Sequence, residues 1–463
     1  MLALLYLAML ALWLAGARRT RREAPLPADG EANAPFGTTL LAGLLVAALF
    51  VLELVVVEAG ARQQQPFPDW FARLPLLPID DKRPFFAHTA EWITDCVLAL
   101  AVAQSAALVL ICRALRGRRL PLSGSVTLGA CCALMLGAAL FTKSLTSFDL
   151  YAYVGSAHLG DAAYRPPAIR FDGPFALVND IDGVPIRPAA YGPLWLALAR
   201  SVTATAGSLG GQLQALRILG AALFVVSLAL LRAARFDTAT VALFALNPAL
   251  IEQYVANGHN DIAPFALTLA ALVAVRRLPW LAIVLAAAAG AMKLPFIAIA
   301  ALAFVTVGDR RRRVGYAALA AAGALLLSGV LGGQAYLDAL HRTSQLYRPP
   351  LAFPVVILYL ATIAAALFAT ALALWRRRYI PTASWSFTAL ASVLFPWYLI
   401  WGLPYALAER RAAWIFLASL PVAAFVLSKV YRPTVPFDAL VAAIVCIPVL
   451  MAFREKRAVA VPR

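Results

Sequence analysis

Long apolar stretches recur along the whole chain, and short clusters of arginine separate them. Each stretch has roughly 15 to 25 residues, enough for a helix that rises 1.5 Å per residue to cross a hydrocarbon core of about 30 Å, directly or as two broken halves. Unpaired backbone polar groups are so costly in lipid that these stretches must be helical. With 62% apolar and only 14% charged residues, the sequence predicts an all-α polytopic membrane protein.

The excess of positive charge follows the same pattern. The chain has 40 Lys and Arg against 23 Asp and Glu, a formal net charge of +17. In a soluble protein this charge would suggest nucleic-acid binding. Here the arginines lie between apolar stretches, so we interpret them as markers of the cytoplasmic face and expect no nucleic-acid partner. The clusters are Arg18/Arg19/Arg21/Arg22, Arg113/Arg116/Arg118/Arg119, Arg232/Arg235, Arg276/Arg277, Arg310–Arg313, Arg376–Arg378, Arg410/Arg411 and Arg454/Lys456/Arg457.

Alternation of apolar stretches and arginine clusters predicts 13 to 15 membrane helices in one domain, residues 1–463. Residues 1–122 form additional N-terminal helices in this scheme. Residues 142–190 form a long external loop with juxtamembrane helices, and a loop of that length inside a compact fold is usually functional.

Two apolar stretches cannot be single spans, because the arginine clusters on either side of each belong to the same face. Leu281–Val307 must cross and return, with its turn at Lys293–Pro295, and Ser386–Ala408 must do so with its turn at Pro396–Tyr398. Broken helices of this kind are tolerated where they line a cavity within the protein. Both turns therefore indicate a cavity on the face opposite the arginines.

Asp149 is the first candidate catalytic residue, because it directly follows a membrane helix and precedes a tyrosine-rich segment. A carboxylate held there can accept a proton from a substrate hydroxyl. The alternative is that Asp149 only caps the helix that begins near Leu150, a role that Asp performs well.

Three cations are candidates for binding a phosphate. Lys293 stands alone in an apolar stretch, where it either stabilises charge on a leaving phosphate or extends to the membrane interface. Arg342 and Arg348 offer planar forks of donors to phosphate oxygens, or they bind ordinary lipid head groups.

The stretch "YVANGHND" gathers polar residues between two apolar runs. It is either a turn whose Asn or Asp caps the next helix, or a group of side chains that faces a cavity. Glu252 lies about two helical turns before His259 and would share that face. Trp397 and Tyr398 either belong to an interfacial aromatic belt or contact a sugar or a lipid chain.

We expect no metal and no other cofactor. Asp180 and Asp182 have the Asp-Xaa-Asp spacing of some metal-binding sugar transferases, but a following Gly183 favours a turn. The five cysteines show no metal-ligand spacing and are interpreted as small core residues.

The order of several motifs resembles that of a known superfamily. An Asp after a membrane helix is followed by "YGPLW", "NPALIEQYVANGHND", "MKLPF" and "FPWYLIWGLP". This order is similar to the GT-C superfamily of polyprenyl-phosphate-sugar-dependent glycosyltransferases, above all the bacterial mannosyltransferases that use polyprenyl-phosphate-mannose. The similarity runs from about Phe141 to Pro404.

The resemblance implies a reaction on the extracytoplasmic side of a bacterial inner or plasma membrane, in which Asp149 is the general base. It also implies a polyprenyl-phosphate-linked sugar donor, with mannose as the expected sugar, and a glycolipid or lipid-linked glycan acceptor. Lys293, with Arg342 or Arg348, would bind the donor phosphate. Membrane lipids are further partners. The residues expected to contact sugar or acceptor are Tyr191, Glu252, Asn257, His259, Asn260, Asp261, Trp397 and Tyr398.

Two alternatives remain open from the sequence. The same scaffold can transfer a pentose or an aminosugar. A lipid or sugar transporter with broken helices is the other alternative, although related halves and a midplane site would then be expected.

Overall fold

We describe the fold from a computed structural model of the full chain. The structure describes residues 2–17, 21–22, 33–64, 91–142, 147, 149–182, 184, 186–346, 353–391 and 394–429.

The regular elements among the described residues are helices, apart from two strands of two residues each. The membrane-length helices are α2 (Phe36–Gln64), α3 (Glu91–Leu115), α4 (Leu122–Phe141), α8 (Leu209–Ala233), α14 (Arg310–Leu346), α15 (Phe353–Arg376) and α17 (Arg410–Lys429). The shorter helices are α1 (Leu2–Ala17), α5 (Asp149–Leu159), α6 (Ala176–Asp182), α7 (Pro193–Thr203), α9 (Thr238–Ala245), α10 (Pro248–Ile251), α11 (Ile262–Ala274), α12 (Pro279–Met292), α13 (Phe296–Ala300) and α16 (Leu403–Ala406). The strands are β1 (Arg21–Arg22) and β2 (Arg378–Tyr379), which pair antiparallel.

The prediction of an all-α polytopic membrane protein is confirmed. Within the described part of the chain, seven helices are long and apolar enough to cross a membrane. The number of candidate spans rises to eight if one bent pair of helices is counted as a single span. Four shorter apolar helices begin at Leu2, Ile262, Pro279 and Phe296. The range of 13 to 15 predicted membrane helices counts several of these shorter helices as separate spans.

Irregular helices occur where the sequence predicted broken ones. After α12 the chain breaks at Lys293, whose backbone is extended, and continues as α13 and a 3₁₀ helix, Ala301–Thr306. Two further 3₁₀ helices, Pro381–Leu390 and Pro396–Gly402, replace a continuous span before α16. Proline cannot donate the helical hydrogen bond, which explains why the breaks lie beside Pro295 and Pro396.

A third break was not predicted from the sequence. The apolar run Val241–Tyr254 has the length of one span in the sequence, but the structure has α9 followed by α10 and a π-helix, Glu252–Ala256, with a bend of 50° between the two parts. Asn247 begins the second part, because its side chain accepts a hydrogen bond from the backbone N–H of Leu250. Pro248 follows at the first helical position, where proline is well tolerated.

Arginines of separate clusters meet at one end of the bundle, which we call the arginine face. Arg116 and Arg410 both lie over the ring of Trp414, and the Arg22 backbone pairs with that of Arg378. The Arg313 guanidinium donates to the Val307 carbonyl at 2.6 Å. This grouping is the one that the positive-inside interpretation requires.

Helix α5 and its neighbours form a separate apolar cluster at the opposite end. Buried Tyr151, Tyr153 and Trp195 join α5 to α7 and to the first turns of α8. This packing fixes the start of α5, and with it Asp149, against the bundle.

Candidate active site

Asp149 and His259 come together from distant parts of the chain. The Asp149 Oδ2 and His259 Nδ1 atoms are 3.3 Å apart, and the Asp149 side chain is 29% exposed whereas that of His259 is fully buried. Their alignment falls short of a hydrogen bond, as is common for catalytic groups without a bound substrate. The carboxylate is therefore the member of this pair that a substrate can reach.

Asp149 is the first residue of α5, and its own backbone N–H donates to the Ser147 hydroxyl at 3.3 Å. It lies inside the first turn of the helix, one position later than a capping residue would. The alternative that Asp149 serves only as the cap before Leu150 does not account for its approach to His259.

An aromatic stack supports the imidazole of His259. The ring lies 3.9 Å from that of Trp397 at an interplanar angle of 17°, and Phe395 stacks on Trp397 at 4.4 Å and the same angle. Two rings stacked so closely on one indole must occupy its opposite faces. Both faces of Trp397 are therefore occupied, so the expected stacking of a sugar on this indole cannot occur in this arrangement. The indole instead holds His259 in place.

Lys293 forms a buried ion pair beside this stack. Its Nζ is 2.7 Å from Asp261 Oδ1 and 3.1 Å from Asn260 Oδ1. The ammonium also lies over the rings of Tyr398 and Trp401, 4.8 and 5.4 Å from their centroids. A charge pair out of water is retained only with such further contacts, because desolvation otherwise exceeds the attraction.

The capping alternative for Asp261 is wrong. Asp261 precedes α11, but its side chain makes no capping hydrogen bond there. Its Oδ1 accepts from Lys293 and, at 2.6 Å, from the indole N–H of Trp401, while its buried Oδ2 has no hydrogen-bond donor within the described residues. An unsatisfied carboxylate oxygen at this depth is available to a ligand hydroxyl or to water.

The turn in "YVANGHND" is confirmed. Gly258 has φ of +60°, a conformation that glycine adopts without strain. A Cβ at that position would lie 2.5 Å from a methyl carbon of Leu150 in α5. The close approach explains how the turn brings His259 to the residue that precedes Leu150.

Tyr153 contacts the turn at Asn260 and lies near both carboxylates of the site, those of Asp149 and Asp261. Its hydroxyl accepts a hydrogen bond from the Asn260 backbone N–H at 3.3 Å, and its ring packs edge-on against Tyr191 and Trp195. Burial raises the pKa of Tyr153, and the nearby carboxylates of Asp149 and Asp261 raise it further. The phenol therefore stays protonated and can donate its own hydrogen.

Of the other predicted site residues, some lie near the turn that carries His259 and others lie away from it. Asn257 is buried within the same turn, and the Glu252 carboxylate accepts a hydrogen bond from the neighbouring Gln253 side chain. Arg342 is exposed on α14, one turn from Asp338, which pairs with Arg165. Arg348 and the side chains of Asp180 and Asp182 lie outside the described residues.

The sequence prediction missed Arg217, which is fully buried in α8. Its guanidinium donates to the Ala256 carbonyl at 2.8 Å and to the Thr142 carbonyl at 2.7 Å. It thereby joins the end of the π-helix to the end of α4, the two segments that lead to His259 and Asp149. The available signal was a lone arginine inside an apolar helix, which is a functional hypothesis by default.

No group of three or more His, Cys, Asp or Glu side chains within the described ranges could hold a metal ion. The chemistry that these residues offer is that of a partly exposed carboxylate, a buried imidazole and a buried cation, arranged within one end of a helical bundle.

These features bring a carboxylate and a cation together at one end of a bundle of membrane-length helices. A family model described as alpha-(1->6)-mannopyranosyltransferase, N-terminal domain, matches residues 82–308. The match covers just under half of the chain, and it supports a glycosyltransferase of GT-C type. No curated protein and no solved structure matches the chain.

The matched region contains Asp149, His259, Asp261 and Lys293, whereas Trp397 and Trp401 lie beyond it. The match to a mannosyltransferase family supports an enzyme over the alternative of a transporter.

Proposed function

We propose that the protein transfers mannose from a polyprenyl-phosphate donor to a hydroxyl of a glycolipid or lipid-linked glycan, on the extracytoplasmic face of a bacterial plasma membrane. The match of residues 82–308 to a mannosyltransferase family supports the mannosyl transfer. The location of the site opposite the arginine face supports the side of the membrane.

The observation that carries the mechanism is the pair of Asp149, partly exposed, and His259, fully buried, at 3.3 Å. Asp149 acts as general base. The acceptor oxygen forms a bond to the anomeric carbon of mannose while the bond from that carbon to the phosphate oxygen breaks. The acceptor proton passes to the Asp149 carboxylate, and the polyprenyl phosphate leaves with the electron pair.

His259 is a positioning residue in this mechanism. Because Trp397 holds its ring, the imidazole fixes the orientation of Asp149 and leaves the second carboxylate oxygen for the acceptor. A base held in one orientation increases the rate more than a mobile one does, because proton transfer requires a defined geometry of approach.

Lys293 stabilises the charge that develops on the leaving phosphate. Its ammonium has three N–H donors, and two are directed at Asn260 and Asp261. The third is available to a phosphate oxygen, and the pair with Asp261 fixes its direction before the donor binds. Arg342 or Arg348 supplies a second cation as the donor enters, and Tyr191, Glu252, Asn257 and Tyr398 line the space for sugar and acceptor.

Replacing Asp149 by Asn tests the assignment, because the amide keeps the size of the side chain but cannot accept the proton. We expect kcat to fall by about 10²-fold or more, the usual contribution of a general base, in purified protein supplied with polyprenyl-phosphate-mannose and glycolipid acceptors. Asp161→Asn, an exposed change in the 3₁₀ helix that follows α5, is the matched control and should leave kcat unchanged. Full transfer by a folded Asp149→Asn protein would refute the role of Asp149.

A panel of donors tests the sugar separately. Polyprenyl phosphates carrying mannose, a pentose or an aminosugar should give product only with mannose. Transfer from the pentose donor alone would retain the mechanism and replace the proposed substrate.

A further inference from the structure

A second cavity lies at the arginine face, far from the candidate active site. It has a volume of about 900 Å³ and is bounded by the end of α8, by α11, by the 3₁₀ helix Ala301–Thr306 and by α16. Helix α11 runs from Asp261 to this cavity, and its 13 residues correspond to about 20 Å of rise. The two sites therefore lie at opposite ends of the same helix.

The lining combines an apolar floor with a basic rim. Side chains such as Leu269, Leu272, Leu302 and Leu407 form the floor, and the rim consists of Arg235, Arg276, Arg277 and Arg377. None of the described residues that line the cavity is an Asp or Glu. Four positive charges around an apolar space are complementary to an anion that carries a hydrocarbon tail.

Three of these guanidinium groups are not engaged elsewhere. Among the described residues, the structure gives the side chains of Arg235, Arg276 and Arg277 no carboxylate or hydrogen-bond acceptor. Each is exposed. This contrasts with Arg313 on the same face, whose guanidinium is occupied by backbone carbonyls.

Backbone strain marks the same rim. Only two non-glycine residues of the described chain have positive φ, Arg235 at 65° and Arg377 at 51°, and both line this cavity. Arg235 follows α8 where the Phe236 N–H bonds to the Leu231 carbonyl, a helix end at which glycine is usual. Such strain concentrates at ligand clamps, where the side chain has a function that glycine would not supply.

We propose that this cavity is a binding site for an anionic phospholipid of the adjoining leaflet. Arg235, Arg276 and Arg277 bind the phosphodiester through charge-assisted hydrogen bonds, and an acyl chain occupies the apolar floor. Basic pockets between membrane helices on the cytoplasmic side suit such head groups. The bound lipid joins α8 and α11 to α16, which directly follows the segment that carries Trp397 and Trp401.

Titration of the purified full chain in detergent with phosphatidylglycerol, followed by native mass spectrometry, tests the proposal. Phosphatidylcholine with the same acyl chains serves as the neutral-head-group comparison. We expect saturable binding of phosphatidylglycerol at one site, at least 10-fold tighter than that of phosphatidylcholine. Arg276→Gln/Arg277→Gln should remove this preference.

Arg311→Gln/Arg312→Gln is the matched control, because it removes two exposed arginines from the same face that do not line the cavity. It should leave the preference for phosphatidylglycerol intact. Equal loss in both double variants would show general attraction of anionic lipid to the arginine face and would overturn the site.

Arg235→Gly gives a second, independent measurement. Glycine relieves the positive φ, so the melting temperature in lipid-free detergent should rise while affinity for phosphatidylglycerol falls several-fold. Unchanged affinity would overturn the role of Arg235. Binding of glycerol phosphate as tightly as phosphatidylglycerol would overturn the role of the acyl chain.

Discussion

His259 is held by residues from two distant segments of the sequence and by its own turn. Asp149 lies on one side of its ring, Trp397 covers one face, and the turn at Gly258 sets its backbone. In the proposed mechanism the imidazole orients the carboxylate of Asp149, a function that an aliphatic side chain cannot replace.

We therefore expect His259→Ala to lower kcat by about 10- to 100-fold with little change in the KM for donor, because it removes the orientation of a general base rather than the base itself. The measurement is steady-state mannosyl transfer by protein that elutes as the wild type does in size-exclusion chromatography. Loss of the stack also removes about 0.5–1.5 kcal/mol of stability, so thermal unfolding should be followed in parallel.

His158→Ala is the control for this experiment. His158 also lies near the candidate site's end of the bundle, but it pairs with Gln212 at 2.9 Å and packs against Phe175. Its removal should leave kcat near the wild-type value. Wild-type turnover by His259→Ala would instead show that the stretch "YVANGHND" is only a structural turn, the alternative that its sequence also allows.

At the scale of single residues, sequence chemistry singled out candidate polar side chains but did not predict which of them form contacts. Asp149, His259, Asp261 and Lys293 were all singled out because polar groups are rare in apolar sequence. Their pairing was not predictable, since Asp149 approaches His259 over more than one hundred positions and Lys293 turns towards Asp261. Arg217 was missed because it was grouped with an apolar span.

At the scale of elements, the start of α7 and the end of α12 are in close backbone contact at Gly192. The Gly192 N–H donates to the Met292 carbonyl at 2.9 Å, and a Cβ on Gly192 would lie 2.0 Å from the Ala291 carbonyl oxygen. The motif "YGPLW" therefore packs directly on the end of α12, immediately before Lys293.

Gly192→Ala should shift the end of α12 and displace Lys293. We expect transfer activity to fall more than 10-fold, with a loss of stability of about 1–3 kcal/mol, typical of overpacking. The measurements are kcat and thermal unfolding. Gly207→Ala, at a position with open space around it, is the control, and equal behaviour of both variants would contradict the packing argument.

Element boundaries followed from the sequence where charge and proline set them. The two broken stretches were predicted because arginine clusters on both sides belong to one face. The π-helix at Glu252–Ala256 and the 3₁₀ helices were not, because their hydrogen-bond patterns depend on tertiary contacts such as the Gly220–Tyr254 approach rather than on local propensity.

The whole molecule has two chemically different ends, and their assignment to the two sides of the membrane is testable. We expect a membrane-impermeant maleimide to label Asp161→Cys in intact cells and Arg311→Cys only after permeabilisation, in a background without native cysteines. Both positions are exposed. Labelling of Arg311→Cys in intact cells would reverse the proposed orientation.

At this scale the fold class and the grouping of arginines followed from composition and charge pattern alone. The partners of the N-terminal helices did not, because an apolar face of a membrane helix carries little information about which other apolar face it meets. The cavity at the arginine face was likewise not predicted from the sequence, because its four arginines were interpreted only as markers of topology.

Helix α1 packs against segments near the far end of the described chain. The Thr382 hydroxyl donates to the Leu12 carbonyl across 370 positions, and Tyr6 contacts the ring of Tyr359. At a synthesis rate of about 5–20 residues per second, roughly 20–70 s separate the emergence of these partners from the ribosome. During that interval the buried face of α1 lacks these partners, so α1 reaches its native contacts with them long after its own synthesis.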